Sequence, residues 1–237
     1  MKSVALGPAT LYLGDAAEIV PTLESVDLLA TDPPWLIAQQ SHGRRKGDLF
    51  GVIHGDRGEV DVPSILTASV RRLRDHRHLY VFGPAHLLEL VPQISTPREL
   101  IWDKEMHGGG DLTTPWGPGH EPISFAVRSQ RTTAKTEGVF AARMRQSSVL
   151  RGARANAAGT TRHPHEKSLE VMRRIVEASS NLGDLVLDPF MGSGTTIVAA
   201  LLEGRRAIGI EIDERWFDVA VERVQRILPM LRQLESA

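Results

Sequence analysis

The chain has 237 residues, with 28 Lys and Arg against 29 Asp and Glu and a formal net charge of −1. That length suits one α/β domain with a proper core and little to spare, and the near-neutral balance excludes a molecule that binds polyanions by overall charge. The chain has no cysteine, which excludes disulfides and thiolate metal sites; no apolar run reads as a signal peptide or a membrane span, so a soluble cytoplasmic protein is expected.

A first strand is predicted at Thr10–Leu13, running into Gly14-Asp15-Ala16, and a second at Asp27–Thr31, running into Asp32-Pro33-Pro34-Trp35. Proline has no N–H and a fixed φ, so Pro33-Pro34 cannot continue a hydrogen-bonded strand. Their carbonyls remain as acceptors beside the Asp32 carboxylate, and Trp35 adds a stacking face. Such a cluster suits a planar ring that carries an exocyclic amino group. Taken alone, it is equally an ordinary structural turn.

An excursion over residues 39–61 follows, with His42-Gly43-Arg44-Arg45-Lys46 inside it. It reads either as a flap over the acceptor cluster or as a solvated loop. Helices are predicted at Val62–Arg74 and Ala85–Leu90, and strands at His78–Phe82, Leu100–Trp102 and Ile123–Val127. From Arg128 to Arg162 the basic residues are Arg128, Arg131, Lys135, Arg143, Arg145, Arg151, Arg154 and Arg162, against Glu137 as the one acid. This stretch is poor in aromatics and reads as an excursion from the core, suited to phosphates or guanine edges; a plain solvated charge run is the alternative.

Downstream, Ser168 is placed to cap a helix over Leu169–Ser179. The strand Leu185–Leu187 then meets the glycine-rich loop Asp188-Pro189-Phe190-Met191-Gly192-Ser193-Gly194-Thr195-Thr196. A helix over Ile197–Leu202 and a strand over Ala207–Ile210, ending on Glu211, complete a β-loop-α-β unit. No lysine follows the second glycine, so this is not a P-loop, and Ile197 stands where a dinucleotide fingerprint has its third glycine. The unit fits a nucleoside without a pyrophosphate, with the acid at the second strand end for ribose hydroxyls. The last helix, Glu214–Leu228, aligns Phe217, Ala220, Val224 and Ile227 as a core-facing stripe, or as a dimer interface on the sharper reading; Pro229 is expected to end or kink it. No repeat or linker divides the chain. The alternation of elements predicts one α/β domain over residues 1–237, a largely parallel seven-stranded sheet with helices on both faces.

Joined, Asp32-Pro33-Pro34-Trp35 and the Asp188–Thr195 loop resemble the catalytic motif and cofactor loop of the amino-group DNA methyltransferases that use S-adenosylmethionine. Their order is similar to that of the circularly permuted beta group, and the match covers most of the chain. Leu11–Ala16, Leu100–Lys104, His120–Phe125 and His163–Ser168 fall where the resemblance asks for them. Two positions depart from the pattern: Trp35 replaces a more usual tyrosine, and Ser168 a proline after Lys167.

The resemblance implies a Rossmann-like methyltransferase fold and a division of labour. Asp32, Pro33, Pro34 and Trp35 would be catalytic: Asp32 and the Pro33 carbonyl accept the target's amino hydrogens while Trp35 stacks on a base flipped out of the duplex. Asp15 and Ala16 would border the cofactor adenine, Glu211 its ribose, and Asp188, Gly192 and Gly194 its methionine part. Phe190, Thr195 and Lys167 complete the implied cofactor set. Arg143, Arg145, Arg151 and Arg154 would bind DNA from a target-recognition insertion over about residues 128–162. His163 and His165 lack a third ligand, so no metal is expected.

Double-stranded DNA is the implied partner, and a homodimer and a cognate restriction endonuclease are left open. Methylation at cytosine carbon 5 normally needs a cysteine nucleophile, which is absent, so amino methylation follows. Adenine N6 is the leading target and cytosine N4 the alternative. An RNA substrate and a catalytically silent binding module are the remaining readings.

Overall fold

In the computed structural model, which describes residues 2–34, 60–105, 116–117, 119–129, 146–153 and 166–235, a hairpin opens the chain. Strands β1 (Lys2–Leu6) and β2 (Ala9–Leu13) pair antiparallel across Gly7-Pro8. Asp15 then caps the short helix α1 (Ala16–Ile19), its carboxylate accepting the Ala17 N–H at 2.8 Å. Strand β3 (Val26–Thr31) is buried at every position. Helix α2 (Val62–Arg72) starts at Asp61, whose carboxylate accepts the Ser64 N–H at 3.1 Å, with Pro63 in the first turn where its missing N–H is harmless.

Strands β4 (Leu73–Phe82), β5 (Arg98–Asp103), β6 (His120–Val127) and β7 (Val149–Arg151) follow, then α3 (Leu169–Ser179), β8 (Leu185–Asp188), α4 (Thr195–Leu202), β9 (Arg206–Glu211) and α5 (Glu214–Glu235). The nine described strands form one sheet in the order β1-β2-β9-β8-β3-β4-β6-β5-β7. Side chains alternate across its faces. On β3, Leu28 and Ala30 join a core with Val171, Met172, Ile175, Ile197 and Phe217 of α3, α4 and α5. Leu29 joins the opposite core, with Ile65, Leu66 and Val70 of α2. Truncating a fully buried leucine such as Leu28 costs about 2–5 kcal/mol.

All seven predicted strands are present, with longer ends. The sheet, however, is mixed and has nine described strands: β1 is antiparallel to β2, and β6 is antiparallel to both β4 and β5. The two strands that sequence reading missed are the edges. In β1 only Leu6 is buried, so no apolar alternation marks it; β7 has three residues and lies inside the basic stretch.

Helix boundaries shift as well. Residues Ala85–Leu88 form a 3-10 turn, shorter than the helix predicted there. Helix α4 begins two residues early, at Thr195. Helix α5 continues through Pro229 to Glu235. Pro229 and Gln225, whose carbonyl loses its intrahelical donor, are both exposed, so solvent meets the freed acceptor. The stripe Phe217, Ala220 and Val224 faces the core, with Ile227 packed beside it. Ser168 does stand at the N-cap of α3, yet its hydroxyl makes no capping bond; it packs against Gly152, where an added Cβ would lie 2.7 Å from the hydroxyl oxygen.

Candidate active site

β3 and β8 lie side by side in mid-sheet, and the chain leaves them in opposite directions, β3 toward β4 and β8 toward β9. Ligand crevices form at the C-terminal strand ends where the order reverses in this way. Asp32-Pro33-Pro34 leaves β3 at that edge, and Pro189–Gly194 leaves β8 beside it. Asp32 is half-buried and Pro33 buried.

The Thr31 hydroxyl donates to Asp188 Oδ1 at 2.6 Å, and the Phe190 N–H donates to the same oxygen at 3.1 Å. Burial pushes the Asp188 carboxyl up to about 6; hydrogen bonds from Thr196, Thr31 and Phe190 pull it back, and nearby Asp32 pushes it further. Asp188 is therefore a brace between the two motifs, 2% exposed. Phe190 is half-buried and packs on the core cluster that includes Ile208 and Ile210.

The loop after β8 turns on glycines for a steric reason. Gly192 and Gly194 have φ of +50° and +82°, and a Cβ on Gly194 would stand 2.9 Å from the Ala220 Cβ of α5. The Gly192 N–H donates to Glu211 Oε2 at 2.9 Å, while Glu211 Oε1 accepts the Ile212 and Asp213 N–H groups at 2.9 and 2.8 Å. Burial raises the Glu211 pKa, against the pull of these three bonds. A carboxylate offers about four acceptor sites, so Glu211 retains one for a ligand hydroxyl. Next to it, the Gly14 N–H donates to the Glu211 carbonyl at 2.9 Å, which brings exposed Asp15 and buried Ala16 to the same edge.

Arg223 of α5 secures the loop from behind. Its Nη1 donates to the Ser193 carbonyl at 2.8 Å, to Ser193 Oγ at 2.9 Å and to Thr195 Oγ1 at 3.2 Å. Its Nη2 pairs with Glu166 at 2.6 Å, one residue before Lys167.

Lys167, expected beside the cofactor, places its ammonium 2.9 Å from Asp32 and 3.0 Å from Glu121 of β6. Glu121 is in turn 2.8 Å from Lys104, just past β5. Both ammonium groups lie near aromatic faces, Lys167 at 5.5 Å from the Phe82 ring and 5.9 Å from Trp102, and Lys104 at 5.8 Å from Trp102.

Trp35, Arg143, Arg145 and Arg154 lie outside the described residues, as do most of residues 128–162 and both His163 and His165. Arg151 sits on β7 at the sheet edge, its side chain 72% exposed and 3.6 Å from Asp103. Sequence reading missed Thr31, Lys104, Glu121, Glu166 and Arg223 as site residues. For Lys104 and Glu121 a signal existed: each is a charged residue bordering an apolar strand, as Asp32 is.

An acceptor-bearing strand end beside a glycine loop, at the switch point of a doubly wound sheet, is the architecture of a Rossmann-like methyltransferase. The sequence profile N6_N4_Mtase, described as DNA methylase, matches residues 68–222, and the chain belongs to that family. It is 27% identical over 252 residues to the DNA adenine methyltransferase YhdJ of Escherichia coli K12, covering 91% of this chain and 82% of that protein. To the type II methyltransferase M.HinfI of Haemophilus influenzae it is 25% identical over 256 residues, covering 95% and 71%. A shorter match to the type II methyltransferase M.ScaI of Streptomyces caespitosus is 40% identical over 77 residues, or 32% of this chain and 25% of that protein.

Among solved structures, the fold is shared with the M1.HpyAVI–SAM complex, with a TM-score of 0.66 and 23% identity over 91% of this chain and 98% of that one. The PvuII DNA methyltransferase (cytosine-N4-specific) shares it at a TM-score of 0.61 and 16% identity over 94% and 92%.

Proposed function

We propose that this protein transfers a methyl group from S-adenosylmethionine to the exocyclic N6 of adenine within a short sequence of double-stranded DNA. The observation that carries the reading is the placement of Asp32, Pro33 and Pro34 at the β3–β8 crevice, directly beside the glycine loop. The donor set at the crevice fits that cofactor: Glu211 has an acceptor site left for a ribose hydroxyl, and Asp15 is exposed to meet an adenine amino group. Gly192 and Gly194 let main chain approach without a side chain in between. Asp188, Phe190, Ala16 and Thr195 would frame this pocket. When bound, the cofactor supplies an electrophilic methyl group on a sulfonium.

The protein's own part is alignment and electrostatics. Asp32 and the Pro33 carbonyl would accept the two amino hydrogens of a flipped base, while Trp35 stacks on its ring. Those bonds draw the nitrogen lone pair out of conjugation and aim it along the transfer line. An ordinary carboxylate is too weak a base to deprotonate a neutral aromatic amine. Asp32 would therefore take the proton only as the nitrogen becomes cationic.

Aspartate at the acceptor position, together with the name of YhdJ, supports adenine over cytosine. Arg143, Arg145, Arg151 and Arg154 would hold phosphates or base edges from the insertion over residues 128–162. The names of M.HinfI and M.ScaI support a cognate restriction endonuclease as a partner, and a DNA substrate would put the protein in the cytoplasm. Among the described residues no helix is long and apolar enough to cross a membrane.

Nucleosides from unmethylated DNA incubated with the protein and S-adenosylmethionine, analysed by mass spectrometry, test the reading. N6-methyladenine is the expected product. N4-methylcytosine would keep the chemistry and replace the base; neither product would overturn DNA methylation.

A further inference from the structure

Asp32, Lys167, Glu121 and Lys104 form a chain of alternating charge, with successive gaps of 2.9, 3.0 and 2.8 Å. Their side chains are 28%, 10%, 14% and 8% exposed, so the chain opens only at Asp32, the end that faces the crevice. Four separate segments supply it: the end of β3, the turn before α3, the start of β6 and the end of β5. All meet at one sheet edge, because the antiparallel start of β6 pairs with the end of β5, His120 against Asp103. Stability gives little reason to bury such a set, since packed apolar residues commonly serve a core as well or better.

We propose that Lys167, seated on Glu121 and Lys104, is a positioning residue for methyl transfer, holding the Asp32 carboxylate ionised and aimed at the target amine. The inference rests on the reading of Asp32 as the acceptor of the amino hydrogens. An ionised carboxylate only accepts hydrogen bonds, whereas a protonated one presents a donor to the amine and loses part of its hold. A cation at 2.9 Å favours the ionised form.

The charge states of the chain agree with this role. Burial works against the Lys167 ammonium, but Asp32 and Glu121 outweigh it and hold its pKa above the ordinary lysine value. Burial likewise pushes Glu121 up, and Lys167 and Lys104 overcome it and hold its pKa below the usual range. Lys167 thus stays protonated and Glu121 an ionised, weak base at working pH, so both act through Asp32. Asp188 of β8 also feels the Asp32 charge, and burial and that charge both push it toward the neutral form. The Phe82 and Trp102 rings flank the Lys167 ammonium, where their faces favour a cation and little water competes for it.

The test is the pH profile of single-turnover methylation of unmethylated plasmid DNA at saturating S-adenosylmethionine. It compares the wild type with Lys167→Gln, Lys167→Arg, Glu121→Gln and Asp32→Ala, each checked for folding by circular dichroism. Lys167→Gln is expected to lower the rate about tenfold or more and to move the acid limb up by about one pH unit. Lys167→Arg should return the limb to its wild-type position, and Glu121→Gln should lower the rate with cofactor affinity unchanged.

A wild-type profile in Lys167→Gln, with Asp32→Ala inactive, would overturn the role of Lys167. Activity in Asp32→Ala would instead overturn the assignment of Asp32 beneath it. If Lys167→Gln does not fold, an unchanged rate and profile in Glu121→Gln overturns the proposal, and the expected loss there supports it.

Discussion

Thr31 donates its hydroxyl hydrogen to Asp188 Oδ1 at 2.6 Å across 157 residues of chain. At the other end of the same strand pair, Asp27 accepts the Leu185 N–H at 2.9 Å and is held by Arg74 and Arg77 at 2.6 and 3.2 Å. Between these two clamps the β3–β8 register has two residue pairs, Leu28 with Val186 and Leu29 with Leu187. Side-chain bonds at both ends thus fix where the acceptor motif stands relative to the glycine loop.

Thr31→Val tests the upper clamp. The substitution keeps the branched shape, removes the hydroxyl and leaves Asp188 with one donor fewer. It should cost about 1–3 kcal/mol in urea unfolding. Methylation should fall more than cofactor affinity, because the bond spans the two motifs. Equal losses in both would show that Thr31 serves the fold alone.

Asp188 gives a pH prediction whose sign is opposite to that of most carboxylates. Its folded pKa is pushed up to about 6, so the folded state binds the proton more tightly than the unfolded chain. The stabilisation from this group is complete only below the unfolded value of about 3.9 and is lost as pH rises through about 6, above which the ionised form opposes folding by about 3 kcal/mol. Half-buried His78 acts the other way. Burial, and then Arg77, lower it to about 4, so its contribution is lost as pH falls from roughly 6.5 toward 4. The two effects overlap and largely cancel in the wild type. Asp188→Asn should be more stable than the wild type at about pH 7.5, with the difference shrinking through pH ~4 and vanishing near pH ~3. Urea midpoints across that range measure it, and a pH-independent difference would refute a carboxyl held toward neutrality.

The parts of this architecture that were legible in the sequence are those that chain neighbours determine. Leu185–Leu187, the two glycines and Glu211 lie within one unit whose apolar runs and turns announce each other. Asp32 is marked by the prolines after it. Lys104 and Glu121 carry the weaker mark of a charge beside an apolar run, which has many uses even with Pro122 after Glu121; Arg223 has no mark, because it acquires its role from partners far along the chain. Lys167 and Asp32 were both singled out in the sequence through the resemblance, Lys167 for the cofactor; their pairing with each other and with Glu121 was not. The edge strands β1 and β7 escaped for a related reason: an edge buries little, and so carries little hydrophobic pattern.

Gly194 offers a packing test of the loop. In Gly194→Ala the new Cβ meets Ala220 Cβ at 2.9 Å and its Cα at 3.3 Å, at a φ of +82°. The overlap and the left-handed backbone together should cost roughly 2–4 kcal/mol. Adding Ala220→Gly removes the overlap and keeps the strain, so the double variant should recover part of the loss. Cofactor affinity by calorimetry should follow the same order. A single variant with wild-type affinity would separate the loop from the cofactor.

Arg223 joins the two halves of the proposed site through the last helix. It grips Ser193 and Thr195 on the loop and Glu166 beside Lys167, and both partners of that ion pair are largely buried. Removing one partner of such a pair leaves the other without compensation, at a cost of about 3–5 kcal/mol. Arg223→Gln should therefore destabilise the protein, raise the KM for S-adenosylmethionine through the loop, and lower kcat through the segment that carries Lys167. Glu166→Gln severs only the second connection, so its main effect should be on kcat. Arg223→Lys should rescue little, because one ammonium cannot reproduce the fork that serves four acceptors. A loss of stability with KM and kcat both unchanged would mean that Arg223 anchors the helix and transmits nothing to the site.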